Sequence, residues 1–292
     1  MLDPMAQSAW TTSRRARDVA MQSFVWLAAV LLAAAFGWLI FDLLWHGAAQ
    51  LDWTFLTTNP RSAGRSGGIA PILVSTMLIL IVAIAAAAPL GLATAVLLSE
   101  FMRGHHRAAP WIGLSIDVLA GVPSIVFGLF GNAFFSVWMG LGFSILAGGL
   151  TLACMILPVL IRTAEAGLRI VPNDWRQAAA ALGMSRATVL GQVLIPAAAP
   201  ALVAGLILGI GRAMAETAAL IFTSGYVDRM PSSLLDSGRA ISVHIYDLTM
   251  NVAGGDKNAY STALVLICLL VIINSAATLL TDRAVARRII IA

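Results

Sequence analysis

Five uncharged and strongly apolar runs organise this chain: 19–41, 66–99, 118–161, 187–211 and 258–281. A helix needs about 20 consecutive apolar residues to cross the hydrocarbon of a bilayer. Lipid offers no hydrogen bonds, so a spanning backbone must satisfy its own polar groups as a helix or a closed barrel. Barrel strands would alternate over about 10 residues, and no such pattern occurs here. The run 118–161 is long enough for two crossings divided near Met139-Gly140-Leu141-Gly142, and 187–211 continues past two charges to about Gly225. The expectation is an all-α polytopic membrane protein with six transmembrane helices. Composition agrees: charged residues make up 11% of the chain, about half the share usual in soluble domains, and the mean hydropathy is +0.90.

Lys and Arg set the orientation, because cytoplasmic segments accumulate them. With the N-terminus inside, the inner segments hold twelve: Arg14, Arg15, Arg17, Arg103, Arg107, Arg162, Arg169, Arg176, Arg186, Arg283, Arg287 and Arg288. The outer segments hold five: Arg61, Arg65, Arg229, Arg239 and Lys257. Both termini are therefore expected in the cytoplasm, and the pI near 9.7 follows from this bias rather than from nucleic-acid binding. The first run is longer than the 7–15 residues of a signal-peptide core, so a retained anchor is expected. The expected divisions are a cytoplasmic tail over 1–18, a first span with its outer loop over 19–66, a core of five spans over 67–282 and a second tail over 283–292. Cys154 and Cys268 fall within apolar runs and read as small hydrophobes. His105 and His106 have no neighbouring ligand residues, so no metal site is expected there.

The inner segment 162–195 is water-compatible and carries consistent turn signals. Pro172 stops what precedes it. Asp174 is expected to N-cap a short helix, with Gln177 at the third position completing a capping box. Ala178 and Ala179 open a run of strong helix formers. Gly183 suits a left-handed C-cap, Ser185 suits the N-cap of a second short helix, and Pro196 suits the first turn of the fifth span. The product is a helix–turn–helix at the membrane face.

The joint spacing Gln177-Ala178-Ala179, three residues, Gly183, nine residues, Val193-Leu194-Ile195-Pro196 resembles the cytoplasmic loop motif of ABC-importer permeases. Glutamine replaces the family's glutamate at Gln177, which removes a charge from that position. The resemblance implies a type I ABC-importer permease fold, in which this loop fits a groove on a separate ATPase subunit. The chain has no G-x-x-x-x-G-K-[ST] phosphate loop, so ATP and Mg are expected on the partner, with no cofactor on this chain and no enzymatic activity of its own.

Gly211-Arg212-Ala213-Met214-Ala215-Glu216-Thr217 places two charges at membrane depth. Such residues are costly and face a bundle interior or a wet cavity. Arg212 and Glu216 are four apart, so on a helix they share a face and can pair. Two readings stay open: an ion pair that fixes packing, or a switchable contact for an oxyanion, whose oxygens suit the arginine fork. Pro123 within Gly121-Val122-Pro123-Ser124 interrupts the third span. A plain kink, with Ser124 satisfying the freed carbonyl, and a broken helix on the substrate path are both compatible with it.

Gly67-Gly68-Ile69, the G-V-P-S-I-x-x-G stretch and G-R-x-x-x-E-T-A together resemble permeases of the high-affinity phosphate ABC importer, over roughly Gly67 to Asp282. Val243-His244-Ile245-Tyr246 and Ala259-Tyr260 look like its A-type subunit. The resemblance implies phosphate as substrate, a C-type permease companion, two ATPase subunits and a periplasmic phosphate-binding protein. It assigns the pathway to Arg212, Glu216 and Thr217. Composition and spacing by themselves carry no mark of phosphate. Another oxyanion remains an alternative, as do an ATP-independent channel and an intramembrane enzyme. The outer loop 226–257 offers Asp228, Asp236, Arg239, Asp247 and Lys257 for docking, with an amphipathic stretch expected over 233–245, and Trp45 and Trp53 suit interfacial anchoring.

Overall fold

A computed structural model describes residues 4–102 and 108–289, with side chains over 17–102, 108–279 and 281. The side chains of Arg14, Arg15, Arg103, His105, His106, Arg107, Arg283, Arg287 and Arg288 lie outside the described residues.

Helix α1 (Pro4–Gly47) is continuous through the segment expected to be a tail. None of its apolar window is covered by the rest of the chain. Among the described residues it is fastened at its Gly47 end, where Ser261 Oγ donates to Gly47 O at 2.9 Å. A short α2 (Trp53–Thr57) follows, capped by Asp52 accepting from Phe55 N at 2.7 Å. Two two-residue strands, β1 (Pro60–Arg61) and β2 (Ser66–Gly67), pair antiparallel with Pro60 opposite Gly67.

The core is built from α3 (Ala70–Val96), α6 (Ile145–Ile170) and α9 (Ile195–Ala215). Their packed face includes Ile79, Leu80, Leu152, Met155, Ile156, Leu160, Ile210 and Met214. Lipid is as apolar as leucine, so close van der Waals packing between small residues holds such helices together. Gly205 lies so close to Thr163 that a Cβ would overlap its hydroxyl. Gly167 meets Ala201 in the same way, one turn nearer the Ile170 end of α6. Helix α12 (Asp256–Ile289) closes the bundle and, like α1, runs on through an expected tail.

Two spans differ from the expectation. The third begins at Ala109 rather than 118 and is broken: α4 (Ala109–Ala120) and α5 (Ser124–Gly131, continued by a wider i→i+5 turn to Trp138) meet at 99°. The charge that hid its start is Asp117, which Arg162 of α6 neutralises at 2.6 Å. The described residues thus hold five long apolar helices plus this bent pair, six crossings if the pair counts as one. The fifth span runs helically from Arg186 and stops at Ala215, short of the expected Gly225. After it come α10 (Ala218–Ile221) and α11 (Ile241–Met250). The stretch 233–245 is therefore helical only from Ile241, with Asp236 accepting from the backbone of Ser232 and Ser233 in a turn instead.

Candidate substrate pathway and coupling site

The interruption at Gly121-Val122-Pro123 is a true break. Pro123 (φ −59°, ψ 141°) is extended and serves as the N-cap of α5, since its ring cannot continue a helix and biases the preceding residue against one. Pro123 is exposed and Ser124 half-buried. Among the described residues the Ser124 hydroxyl makes no hydrogen bond, so of the two open readings the kink repaired by Ser124 is not the one found. The second interruption is at Glu216 (φ −78°, ψ 127°), where α9 ends. Its carbonyl accepts from Ser242 Oγ at 2.6 Å, and its carboxylate accepts from Ala219 N at 3.4 Å.

The expected Arg212–Glu216 pair is absent among the described residues, because an i,i+4 contact needs a continuous helix and Glu216 leaves it. The glutamate turns forward to the first turn of α10, while Arg212 stays exposed on α9. Its depth follows from packing: Gly209 rests against Leu160 and Ile156 near the middle of α6, and Arg212 lies three residues further out. Among the described residues no carboxylate approaches it within 4.0 Å. Thr217 is half-buried beside the break. The two interruptions share a seam, since Gly128 of α5 sits against Ala219 of α10 where a Cβ would approach 2.8 Å.

The double turn is narrower than 162–195, because α6 carries Arg162 and Arg169 to its end at Ile170. Helix α7 (Asn173–Ala181) takes Pro172 as its N-cap, leaving Asp174 exposed in the first turn and Gln177 exposed in mid-helix. No capping box forms: Pro172 begins the helix two residues earlier than Asp174 would, which moves Gln177 out of reach. The far end closes as a Schellman turn, with Met184 N donating to Ala179 O at 3.0 Å and Gly183 N to Ala180 O at 3.0 Å. Gly183 has φ +69°. Ala178 is exposed and Ala179 buried.

Ser185 caps α8 (Arg186–Val189), its hydroxyl accepting from Thr188 N at 3.2 Å. This helix is not separate. An i→i+5 turn over Leu190–Leu194 joins it to α9, and Pro196 lies just beyond, well inside the continuous span. The widened turn lies where a proline ring would clash with the carbonyl four residues back.

Several residues of this region escaped the sequence. Trp175 and Leu182 project from the double turn, with Leu182 79% exposed. Arg176 binds Glu100 at 2.6 Å across 76 positions, and Glu165 is shared by Arg162 at 2.9 Å and Arg169 at 2.8 Å. Nothing local signals the Arg176–Glu100 pair, whereas Glu165 stands three and four positions from its partners, the spacing of neighbours on one helix. At the opposite end of the bundle Arg239, expected to dock a partner, is buried: it binds Asp247 at 3.0 Å, donates to Tyr226 O and touches His244 Nδ1 at 3.3 Å. Burial first and Arg239 second push the His244 imidazole down to about 4.

A family model described as the binding-protein-dependent transport system inner membrane component matches residues 87–290. The chain is 32% identical to the probable ABC transporter permease protein YqgI of Bacillus subtilis (strain 168), over 81% of this chain and 84% of that one. It is 33% identical to the phosphate transport system permease protein PstA 1 of Mycobacterium tuberculosis (strain CDC 1551 / Oshkosh), over 95% of this chain and 93% of that one. Among solved structures, a chain of the inward-facing MetNI methionine ABC transporter aligns with TM-score 0.58 and 17% identity, over 73% of this chain and 96% of that one. That likeness concerns the fold. With its apolar helices, the match makes this a multi-pass inner-membrane transport subunit, and the chain belongs to the family of binding-protein-dependent transport system inner membrane components.

Proposed function

We propose that this chain is the A-type permease of an ATP-driven importer of inorganic phosphate. The observation that carries the reading is Arg212, exposed at mid-depth with no ion partner among the described residues and set beside two broken helices. A guanidinium facing lipid there is costly, so it faces the companion permease and the path between them. Its fork suits an oxyanion, and the relatives named for phosphate transport support phosphate. Glu216, half-buried one turn away, and Thr217 with Pro123 and Ser124 complete the seam that opens and closes.

The remaining parts follow from this reading. A C-type permease, two ATP-binding subunits and a periplasmic phosphate-binding protein complete the complex. ATP and Mg are bound on the ATPase, and no cofactor is bound here. Both termini face the cytoplasm, and Gln177, Trp175 and Leu182 meet the ATPase groove. Uptake of labelled phosphate by starved cells lacking this chain tests the reading. Wild type should restore it against excess sulfate, molybdate or phosphonate, while Arg212→Ala at normal membrane abundance should lose at least about tenfold, the factor for one charge-assisted contact. Full uptake with Arg212→Ala refutes the pathway role, and rescue suppressed by another oxyanion reassigns the substrate.

A further inference from the structure

Helix α7 is held between two non-helical joints. One is Val171-Pro172, where both residues are extended (ψ 125° and 141°). The other is the left-handed Gly183. A short helix hinged at both ends rotates when pushed and delivers little displacement to what lies behind it. Covalently it joins only the fourth and fifth spans. Among the described residues, the side-chain hydrogen bonds between it and the second span come from one residue pair: Arg176 Nη2 and Nε donate to the two carboxylate oxygens of Glu100 at 2.6 and 3.0 Å. The same guanidinium donates to Leu168 O at 2.9 Å and Val171 O at 2.7 Å, carbonyls at the end of α6. The pair is largely shielded, with side-chain exposures of 14% and 17%. Glu100 lies in the i→i+5 turn (Leu97–Phe101) that ends the second span.

We infer that Arg176 and Glu100 form a strut that braces the double turn against the second span, so that motion imposed on α7 moves α3, α6 and α9 as one body. Bidentate arginine–carboxylate geometry resists rotation as well as separation, which a point charge would not. Arg176 is thus a positioning residue: it acts on transport through Glu100 and the ends of α3 and α6, without touching the solute. The inference rests on the proposal that an ATPase drives this double turn.

The test uses the complete complex in proteoliposomes, with spin labels at Asn173 and Leu97, both exposed. The labelled wild type should import solute normally and keep its label distance constant when ATP is added. In Arg176→Gln and Glu100→Gln the distance should change on ATP addition. The ATP hydrolysed per solute imported should rise about tenfold, a coupling loss of ordinary size. The exchange Glu100→Arg with Arg176→Glu should recover most of the coupling, and Arg176→Lys, which keeps charge without the fork, only part. A distance that stays constant in both glutamine variants, with wild-type stoichiometry, overturns the strut. Loss of assembly in the single variants with no recovery in the exchange also overturns it and leaves a packing contact. The distance reads the strut whichever solute is carried, whereas a wild type that imports no phosphate refutes the functional proposal alone.

Discussion

Gly183 separates backbone strain from steric contact unusually well. Its φ is +69°, and a Cβ built there meets nothing within 4 Å. A side chain therefore costs only its backbone preference: about 1–2 kcal/mol for an ordinary L-residue in the left-handed region, with asparagine cheaper and β-branched residues dearer. Alanine and leucine should consequently cost the same, although leucine is far larger. The assay is hydrogen exchange at Met184 N, bonded to Ala179 O at 3.0 Å in the Schellman turn. Local opening that is cheaper by 1–2 kcal/mol speeds exchange about 5- to 30-fold. Asparagine should fall near wild type, alanine and leucine together within that range, and valine at or above its top, with ATPase docking and transport declining in the same order. A smooth increase from alanine to leucine would show a contact that the geometry lacks. Wild-type exchange, docking and transport in Gly183→Val would refute the account of the turn altogether.

Gly205→Ala should cost about 1–3 kcal/mol through overpacking against Thr163, read as a lower melting temperature in detergent, and Thr163→Ala should restore part of it. The region around α11 should weaken in acid. The His244 pKa lies near 4 in the fold against 6.5 ordinarily, so the neutral imidazole contributes stability that is present above 6.5 and lost as pH falls toward 4. The loss reaches about 2 kcal/mol at pH 5, and exchange protection over 226–250, taken relative to the intrinsic rate at each pH, should fall between pH 7 and 5 in wild type but not in His244→Gln.

Sequence by itself determined the class of this protein. Charge-free runs and internal hydrogen bonding leave helices as the spanning elements, and local turn chemistry fixed Gly183 at a left-handed cap and Ser185 at an N-cap. These are short-range effects, written within a few residues. Tertiary structure decided everything that required distant segments to meet. Asp117 concealed the start of the third span because its partner Arg162 is 45 positions away. Arg176 and Glu100 carry no mutual signal for the same reason. The Arg212–Glu216 spacing promised a helical pair, but the chain leaves the helix at Glu216, whose carbonyl is held by Ser242, 26 positions on. A charge at membrane depth is visible in sequence; whether it is paired depends on which helices break, and packing between distant segments decides that.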